Sequence, residues 1–214
     1  MNKRIKKLPV ILEVEEMQKL LDMPNKRYIT GLRNKVILNL MWNMGLRVSE
    51  VVNLKPRDIN LTNRNLRIVN GKGGVDRDIT IPEGITYLLK EWKDRRPKES
   101  DYFICNIKSR EAKYQIKTKD GRTLKPTSKK GSKLSVRSIQ IMIKNYSRRS
   151  GIDKHITPHT LRHSYATEFI RQGKSVMTLK QILGHSDIST TQLYVTLANK
   201  DVEEAINGYK VKAI

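Results

Sequence analysis

The chain has 214 residues, 37% of them hydrophobic, with a mean hydropathy of −0.57. It is long enough for one large or two small domains, and it contains no run of about 18 apolar residues, so we expect no membrane span and no membrane partner. The 43 Lys and Arg residues against 21 Asp and Glu residues give a net charge of +22. That charge favours a polyanionic partner, nucleic acid before any other, and would equally suit a ribosomal or chromatin protein.

Apolar residues at helical spacing, with Pro or Gly at the ends, predict a mainly helical chain. The expected helices cover residues 12–23, 29–44, 48–54, 84–96, 135–149, 158–172, 175–183, 187–197 and 199–207. Short strands are expected at 58–61, 65–69 and 77–81. Gly71-Lys72-Gly73-Gly74 lies between the last two strands, and its glycines can adopt the positive φ of a hairpin tip. The pattern predicts an α+β fold, mainly α-helical, with a small three-stranded antiparallel sheet.

Residues 106–134 differ in composition from the rest of the chain. They are crowded with Lys and Arg and almost lack apolar residues. A turn signal at 119–122 predicts a second hairpin formed by 113–118 and 122–125, while a mobile, solvated loop fits the same composition. We therefore interpret 106–134 as a basic insertion within a single domain.

The segment around Pro158 predicts an anion site at the start of a helix. Pro158 fits the first helical position and Thr157 fits the cap before it. His159 and Arg162 then lie three residues apart on one face, where free backbone N–H groups and the helix dipole favour an anion. The alternative is that His159 caps the helix and Arg162 is a surface charge.

Arg47 and Glu50 lie at the start of a predicted helix, one turn apart. They could form a plain surface ion pair worth about 0.3–0.5 kcal/mol. Alternatively, Glu50 could orient the guanidinium toward a phosphate, for which arginine is suited because its planar fork binds two oxygens and stays charged.

Lys72, His185 and Tyr194 each have a structural interpretation beside a functional one. Lys72 is one of many lysines. His185 follows Gly184, which can end a helix, so a capping role is the alternative. Tyr194 could be a buried helix tyrosine, although the Gly-His pair and the polar residues 189–192 before it set it apart.

The remaining histidines and the single cysteine do not suggest a cofactor. We assign His155 and His163 to structural roles. The histidine spacing and the presence of one cysteine argue against a zinc site, so no metal or other cofactor is expected. Cys105 cannot form an internal disulfide, which fits a reduced cytoplasmic protein, and the short apolar run after the basic N-terminus does not fit a secretory signal.

Taken in order, these residues resemble the catalytic domain of the tyrosine recombinases, the phage-integrase family. That family carries an Arg with a Glu three residues on, a hairpin Lys, His-x-x-Arg, a second His after Gly, and a Tyr nine residues beyond it. The matching residues here are Arg47, Glu50, Lys72, His159, Arg162, His185 and Tyr194. The resemblance runs from about residue 10 to residue 200, and it is most specific in 161–167 and 183–185.

The resemblance implies a site-specific DNA recombinase in which Tyr194 attacks a backbone phosphorus. A 3′-phosphotyrosine link would form and a 5′-hydroxyl would be released, without metal or ATP. Arg47, Arg162 and His185 would stabilise the transition state.

Two further residues would handle protons in this reaction. His159 would help to take the proton of the tyrosine, and Lys72 would protonate the 5′-oxygen leaving group. Two alternatives stay open: a type IB topoisomerase that relaxes DNA, and a non-catalytic DNA-binding protein on the same fold.

The resemblance also implies partners and a domain organisation. We expect double-stranded DNA as the partner, a monomer in free solution and a homo-tetramer on paired DNA sites, with accessory DNA-bending proteins as further candidates. Residues 1–214 are expected to form a single catalytic domain, without an N-terminal core-binding domain, as a fragment or a minimal recombinase. The predicted helix at 199–208 would dock in trans on a neighbouring protomer, and we expect the protein in the cytoplasm, associated with the nucleoid.

Overall fold

Helices dominate the computed structural model, which describes residues 9–69, 76–108, 110–111, 116–117, 123–124, 127–184 and 191–199. The helices are α1 (Val14–Asp22), α2 (Ile29–Asn43), α3 (Val48–Asn53), α4 (Glu83–Arg95), α5 (Val136–Arg149), α6 (Pro158–Arg171), α7 (Val176–Leu183) and α8 (residues 191–199). The strands are β1 (Ile59–Asn60), β2 (Asn65–Ile68), β3 (Arg77–Thr80), β4 (Arg110–Glu111), β5 (Ile116–Lys117), β6 (Thr123–Leu124) and β7 (Thr127–Ser128). The predicted α+β class, mainly helical, is confirmed.

Helix α2 forms the centre of the fold. Its side chains Leu32, Val36, Ile37, Leu40 and Met41 are fully buried. Together with the buried Leu38 and Asn39 they lie on every side of the helix, as expected for a helix enclosed by other elements. Helices α1, α3, α4 and α6 pack around it.

Strands β1, β2 and β3 form an antiparallel sheet in that order. Leu66 pairs with Ile79 and Ile68 pairs with Arg77. Leu66, Ile68 and Ile79 are buried, so this face of the sheet covers the core. The connection between β2 and β3 carries Lys72, which lies outside the described residues, as does the rest of the predicted hairpin tip at 71–74.

The basic segment contains further strand pairing. Ile116 pairs with Leu124 and Lys117 with Thr123, which confirms the second predicted hairpin at its described positions. Strands β4 and β7 pair nearer the two ends of the segment. At the base, the Asn106 amide donates to the Ser132 carbonyl over 2.9 Å. The two ends of the basic segment therefore leave the domain side by side.

Several boundaries differ from the prediction because side chains cap the elements. Helix α1 starts two residues late, since the Glu13 amide donates to the Glu16 carboxylate over 2.9 Å and fixes the helix start there. The first strand is shorter because a 3-10 turn at Pro56–Asp58 precedes it.

The C-terminal helices are described only in part. The predicted helix at 187–197 corresponds to α8, whose first predicted residues lie outside the described part. The helix predicted at 199–207 lies outside it except for residue 199. Among the described helices, none is long and apolar enough to cross a membrane.

A second, smaller apolar cluster joins α6, α7 and α8. Its buried members are Ala166, Leu179, Leu183, Tyr194 and Leu197. Tyr194 therefore belongs to the packing that attaches α8 to the rest of the domain.

Candidate active site

The turn between α2 and α3 places the first arginine of the site. Gly45 has a φ of +61°, and a Cβ there would lie 2.5 Å from the Tyr165 ring, so both the backbone conformation and the space require glycine. The turn brings Arg47 to the cap position of α3. It also exposes the Gly45 carbonyl to Arg162 of α6, whose Nη1 donates to it over 2.6 Å.

Glu50 binds Arg47 through two hydrogen bonds, and its role in orienting the guanidinium toward a phosphate stays a prediction. Its Oε1 accepts from Arg47 Nη1 over 3.0 Å, and its Oε2 accepts from the Arg47 backbone amide over 2.8 Å. The Glu50 side chain is 4% exposed, whereas that of Arg47 is 35% exposed. A carboxylate this deeply buried is not part of a surface ion pair, and the arginine it holds faces solvent.

Arg77, at the start of β3, also belongs to the site and was missed by the sequence analysis. Its Nη1 and Nη2 donate to the two oxygens of Glu50, each over 3.0 Å. The Arg77 side chain is 8% exposed. The strand pattern could have indicated its burial. Residues 77, 79 and 81 lie on the same face of a strand, and Ile79 and Ile81 are buried, so Arg77 lies on the covered face of the sheet.

The same three arginines hold the C-terminus of α7. Arg77 Nε donates to the Ile182 carbonyl over 2.6 Å and Arg162 Nη2 donates to the Leu183 carbonyl over 2.7 Å. Arg47 Nη2 lies 3.4 Å from the Gly184 carbonyl. The last carbonyls of a helix have no partner within the helix and carry partial negative charge, so they suit guanidinium groups.

Gly184 ends α7 in the left-handed conformation, with a φ of +61°. A Cβ at this position would lie 3.0 Å from Arg77 Nη1. The glycine therefore permits both the turn and the close approach of Arg77. The next residue, His185, lies outside the described residues.

The charged groups of the cluster shift one another's pKa values. Burial raises the pKa of Glu50, but hydrogen bonds and the charge of Arg77, the Arg47 amide and the charge of Arg162 together hold it below the ordinary value. Burial and the nearby charge of Arg47 lower the pKa of Arg162 to about 10, despite the opposing effects of Glu50 and Tyr194. Arg162 is therefore still charged at pH 7, and three guanidinium groups surround one carboxylate.

Tyr194 lies beside this cluster with its hydroxyl covered. The residue is 2% exposed, and its Oη lies 3.0 Å from Nδ1 of His163. Burial raises the pKa of Tyr194, although the charges of Arg162 and Arg47 act to lower it. Burial and the charges of His159 and Arg162 lower the pKa of His163, and the tautomer of its imidazole determines whether Nδ1 donates to or accepts from the phenol.

The structural role assigned to His163 and the catalytic role of His159 both stay predictions. His163 contacts the tyrosine hydroxyl directly. His159 is exposed near the start of α6, and its ring centroid lies 6.4 Å from that of His163.

Thr157 caps α6 as predicted, since its Oγ1 accepts from the Thr160 amide over 3.2 Å. Arg162 is buried, so the alternative of a surface charge is wrong.

Fold and site together define a mainly helical protein in which a cluster of arginines lies next to a tyrosine. A buried set of fixed positive charges is suited to a phosphate, and a tyrosine hydroxyl beside it is suited to covalent attack. The sequence profile of the Phage integrase family matches residues 11–201 of the chain. The chain therefore belongs to this family, and the resemblance seen in the sequence is confirmed.

Individual relatives agree with this assignment. Tyrosine recombinase XerA of Pyrococcus furiosus is 36% identical over 201 residues, which cover 94% of this chain and 62% of that protein. Tyrosine recombinase XerD of Staphylococcus haemolyticus is 33% identical over 97% of this chain and 65% of its own length. The chain thus spans less than two thirds of the length of either relative.

A solved structure shares the fold. The crystal structure of the XerH site-specific recombinase bound to palindromic difH substrate, in a post-cleavage complex, matches with a TM-score of 0.73 at 25% identity. The match covers 97% of this chain and 55% of the XerH chain.

Proposed function

We propose that this chain carries the catalytic unit of a site-specific DNA recombinase, which cleaves and rejoins strands through a 3′-phosphotyrosine intermediate. The observation that carries the proposal is the convergence of Arg47 and Glu50 at the start of α3 with Arg162 of α6, with Tyr194 beside them. The names of the relatives, tyrosine recombinases XerA and XerD, support the same reaction.

In this proposal Arg47 and Arg162 bind the non-bridging oxygens of the phosphate that is attacked. Glu50 fixes the fork of Arg47, and the Gly45 and Leu183 carbonyls fix that of Arg162. Groups held in place before the reaction need no reorganisation when charge develops, and each contributes about 3 kcal/mol. His185 would add a further donor at the end of α7.

Tyr194 supplies the oxygen that forms the new bond to phosphorus. The bond between phosphorus and the 5′-oxygen breaks, so one phosphodiester replaces another and no external energy source is needed. The phenol proton passes to a histidine, for which His159 is our candidate, and Lys72 donates a proton to the departing 5′-oxygen. Since Tyr194 is 2% exposed, α8 must shift before the hydroxyl can reach a phosphate on DNA.

We further propose double-stranded DNA as the partner, bound mainly through its phosphates by a chain of net charge +22. On this proposal the described residues belong to one catalytic domain, because most of the buried apolar side chains form one cluster. The protein would be a monomer when free and would assemble as a tetramer on paired sites.

A nicked suicide duplex tests the nucleophile. A palindromic duplex with a nick close to the cleavage position lets the short fragment that carries the new 5′-hydroxyl diffuse away, so that the covalent complex accumulates and is detected on a denaturing gel. We expect wild-type protein and a Tyr146→Phe control to form the complex, because Tyr146 of α5 instead accepts a hydrogen bond from Asn34 over 2.9 Å. Complex formation by Tyr194→Phe would show that the assignment is wrong.

The same substrate distinguishes other functions. Covalent complex should form in EDTA, because the proposed charge stabilisers are arginines and a lysine. Loss of cleavage in EDTA that Mg²⁺ restores would indicate a metal-dependent nuclease. Relaxation of a supercoiled plasmid without a second site would favour a type IB topoisomerase, and binding without any cleavage would favour a non-catalytic DNA-binding protein.

A further inference from the structure

We infer that Arg77 is a positioning residue of this active site: it neutralises Glu50 and fixes the end of α7, so that Arg47 and Arg162 keep their charge for the substrate phosphate. This inference rests on the proposed function. Arg77 is not among the residues that match the pattern of the family. Arg77 acts through Glu50 and the backbone and is not expected to touch DNA.

The first support is the geometry around Glu50. Arg77 binds both carboxylate oxygens in a two-pronged arrangement, the strongest form of an arginine–carboxylate contact. Each oxygen also accepts one bond from Arg47, through Nη1 on Oε1 and through the backbone amide on Oε2. With four donors in place, the carboxylate is saturated and its orientation is fixed.

The second support is the charge balance. Arg77 and Glu50 are 8% and 4% exposed, so water screens their attraction weakly and the pair is close to neutral as a unit. The charges of Arg47 and Arg162 then remain in excess. Without Arg77, the carboxylate would offset one of these charges, and it lies only 4.0 Å from Arg162 Nη1.

The third support is the set of segments that Arg77 connects. It starts β3, directly after the connection that carries Lys72. Its guanidinium binds Glu50 of α3 on one side and the Ile182 carbonyl of α7 on the other, three residues before His185. One side chain thus ties together the segments that carry Lys72, Arg47 and His185.

The test must separate this role from simple stabilisation, since removing one partner of any buried ion pair destabilises a protein. Arg96 supplies the matched control. It is 5% exposed and its Nη2 donates to the carbonyls of Ser100 and Tyr102, outside the Glu50 cluster. We would compare Arg77→Gln and Arg77→Lys with Arg96→Gln and Arg96→Lys, at a temperature where each variant is folded by circular dichroism.

The readout is the single-turnover cleavage rate on two suicide substrates. One has a normal phosphate at the cleaved position, and the other has a methylphosphonate, which lacks the negative charge of one non-bridging oxygen. We expect Arg77→Gln to slow cleavage of the normal phosphate about 100-fold, the effect of misplacing reactive groups by about 1 Å. On the methylphosphonate the loss should be several-fold smaller, because less charge needs stabilising. Arg77→Lys keeps the charge but cannot bind both carboxylate oxygens and the Ile182 carbonyl at once, so it should recover only part of the lost rate.

Three results would overturn the inference. One is an Arg77→Gln rate equal to that of the Arg96→Gln control. Another is an equal loss on both substrates, which would leave no role for charge. The third is an Arg77→Lys variant as slow as Arg77→Gln.

A crystal structure of Arg77→Gln gives a readout that does not depend on cleavage. We expect Arg162, whose Nη1 lies 4.0 Å from Glu50 in the wild-type protein, to move closer to that carboxylate and to lose its bond to the Gly45 carbonyl. Arginines that keep their wild-type positions would refute the positioning role, even if the wild-type protein proved unable to cleave DNA. Absence of covalent complex with wild-type protein alone would instead count against the proposed function.

Discussion

Replacing Glu50 with Gln should strongly destabilise the fold at neutral pH. Gln has nearly the same shape, but it lacks the negative charge that compensates Arg77 and Arg162, whose side chains are 8% and 6% exposed. Breaking a buried ion pair by removing one partner costs about 3–5 kcal/mol. In a domain of this size each kcal/mol lowers Tm by roughly 2–4 °C, so a Tm loss of roughly 6–20 °C is expected.

The loss of stability in Glu50→Gln should depend on pH in a defined direction. The pKa of Glu50 lies below its ordinary value in the folded protein. Its contribution to stability is therefore complete above the unfolded carboxyl pKa and is lost as pH falls through the lower, folded pKa. The difference between wild type and Glu50→Gln should be full at pH 7 and should shrink in strongly acidic solution.

Urea unfolding followed by circular dichroism, with thermal scans at the same pH values, measures both effects. Glu99→Gln is the control, because the Glu99 side chain is 61% exposed and lies 3.7 Å from Lys130 in a surface pair. That change should alter stability by no more than about 0.5 kcal/mol. A Glu50→Gln loss below about 1 kcal/mol at pH 7 would refute the reasoning, since it would place the pair within the range of surface ion pairs.

Three further predictions concern DNA binding, the tyrosine pocket and the C-terminus. Affinity for duplex DNA should fall steeply between about 50 and 200 mM salt, because a chain of net charge +22 releases many counterions on binding; a nearly flat dependence would contradict this. The lowered pKa of His163 means that wild-type stability should decline as pH falls below about 6.5, whereas His163→Gln should show no such decline in that window; parallel urea titrations would detect it. Deleting residues 199–214 should leave single-site cleavage intact and impair strand exchange between two sites. Equal recombination and unchanged assembly of the truncated protein on native gels would show that the segment has no such role.

Much of this fold could be predicted because its signals are local. Helical spacing of apolar residues located α2, and proline with a preceding threonine located the start of α6. Arg47 and Glu50 could be paired because they lie one turn apart in the same helix. Each of these predictions depends on residues within a few positions of one another.

The role of Arg77 and the contact between His163 and Tyr194 were not predicted because the partners are distant in sequence. Arg77 is 27 residues from Glu50, and His163 is 31 residues from Tyr194. The pattern of apolar residues in β3 indicated that Arg77 is buried, but it did not indicate which residues contact it. The burial of Tyr194 likewise depends on the packing of α8 against α6 and α7, which no local pattern encodes.

The carbonyls of residues 182–184 explain how the site can bury arginines and still attract an anion. A buried guanidinium needs hydrogen-bond acceptors, and carboxylates would satisfy it only by cancelling its charge. The Ile182, Leu183 and Gly184 carbonyls accept one bond each from the three arginines and carry only the partial charge of a helix end. Among the described side chains, the carboxylate of Glu50 is shared by all three, so positive charge remains in excess. A phosphate entering between Arg47 and Arg162 would supply the missing negative charge without displacing any of these backbone contacts.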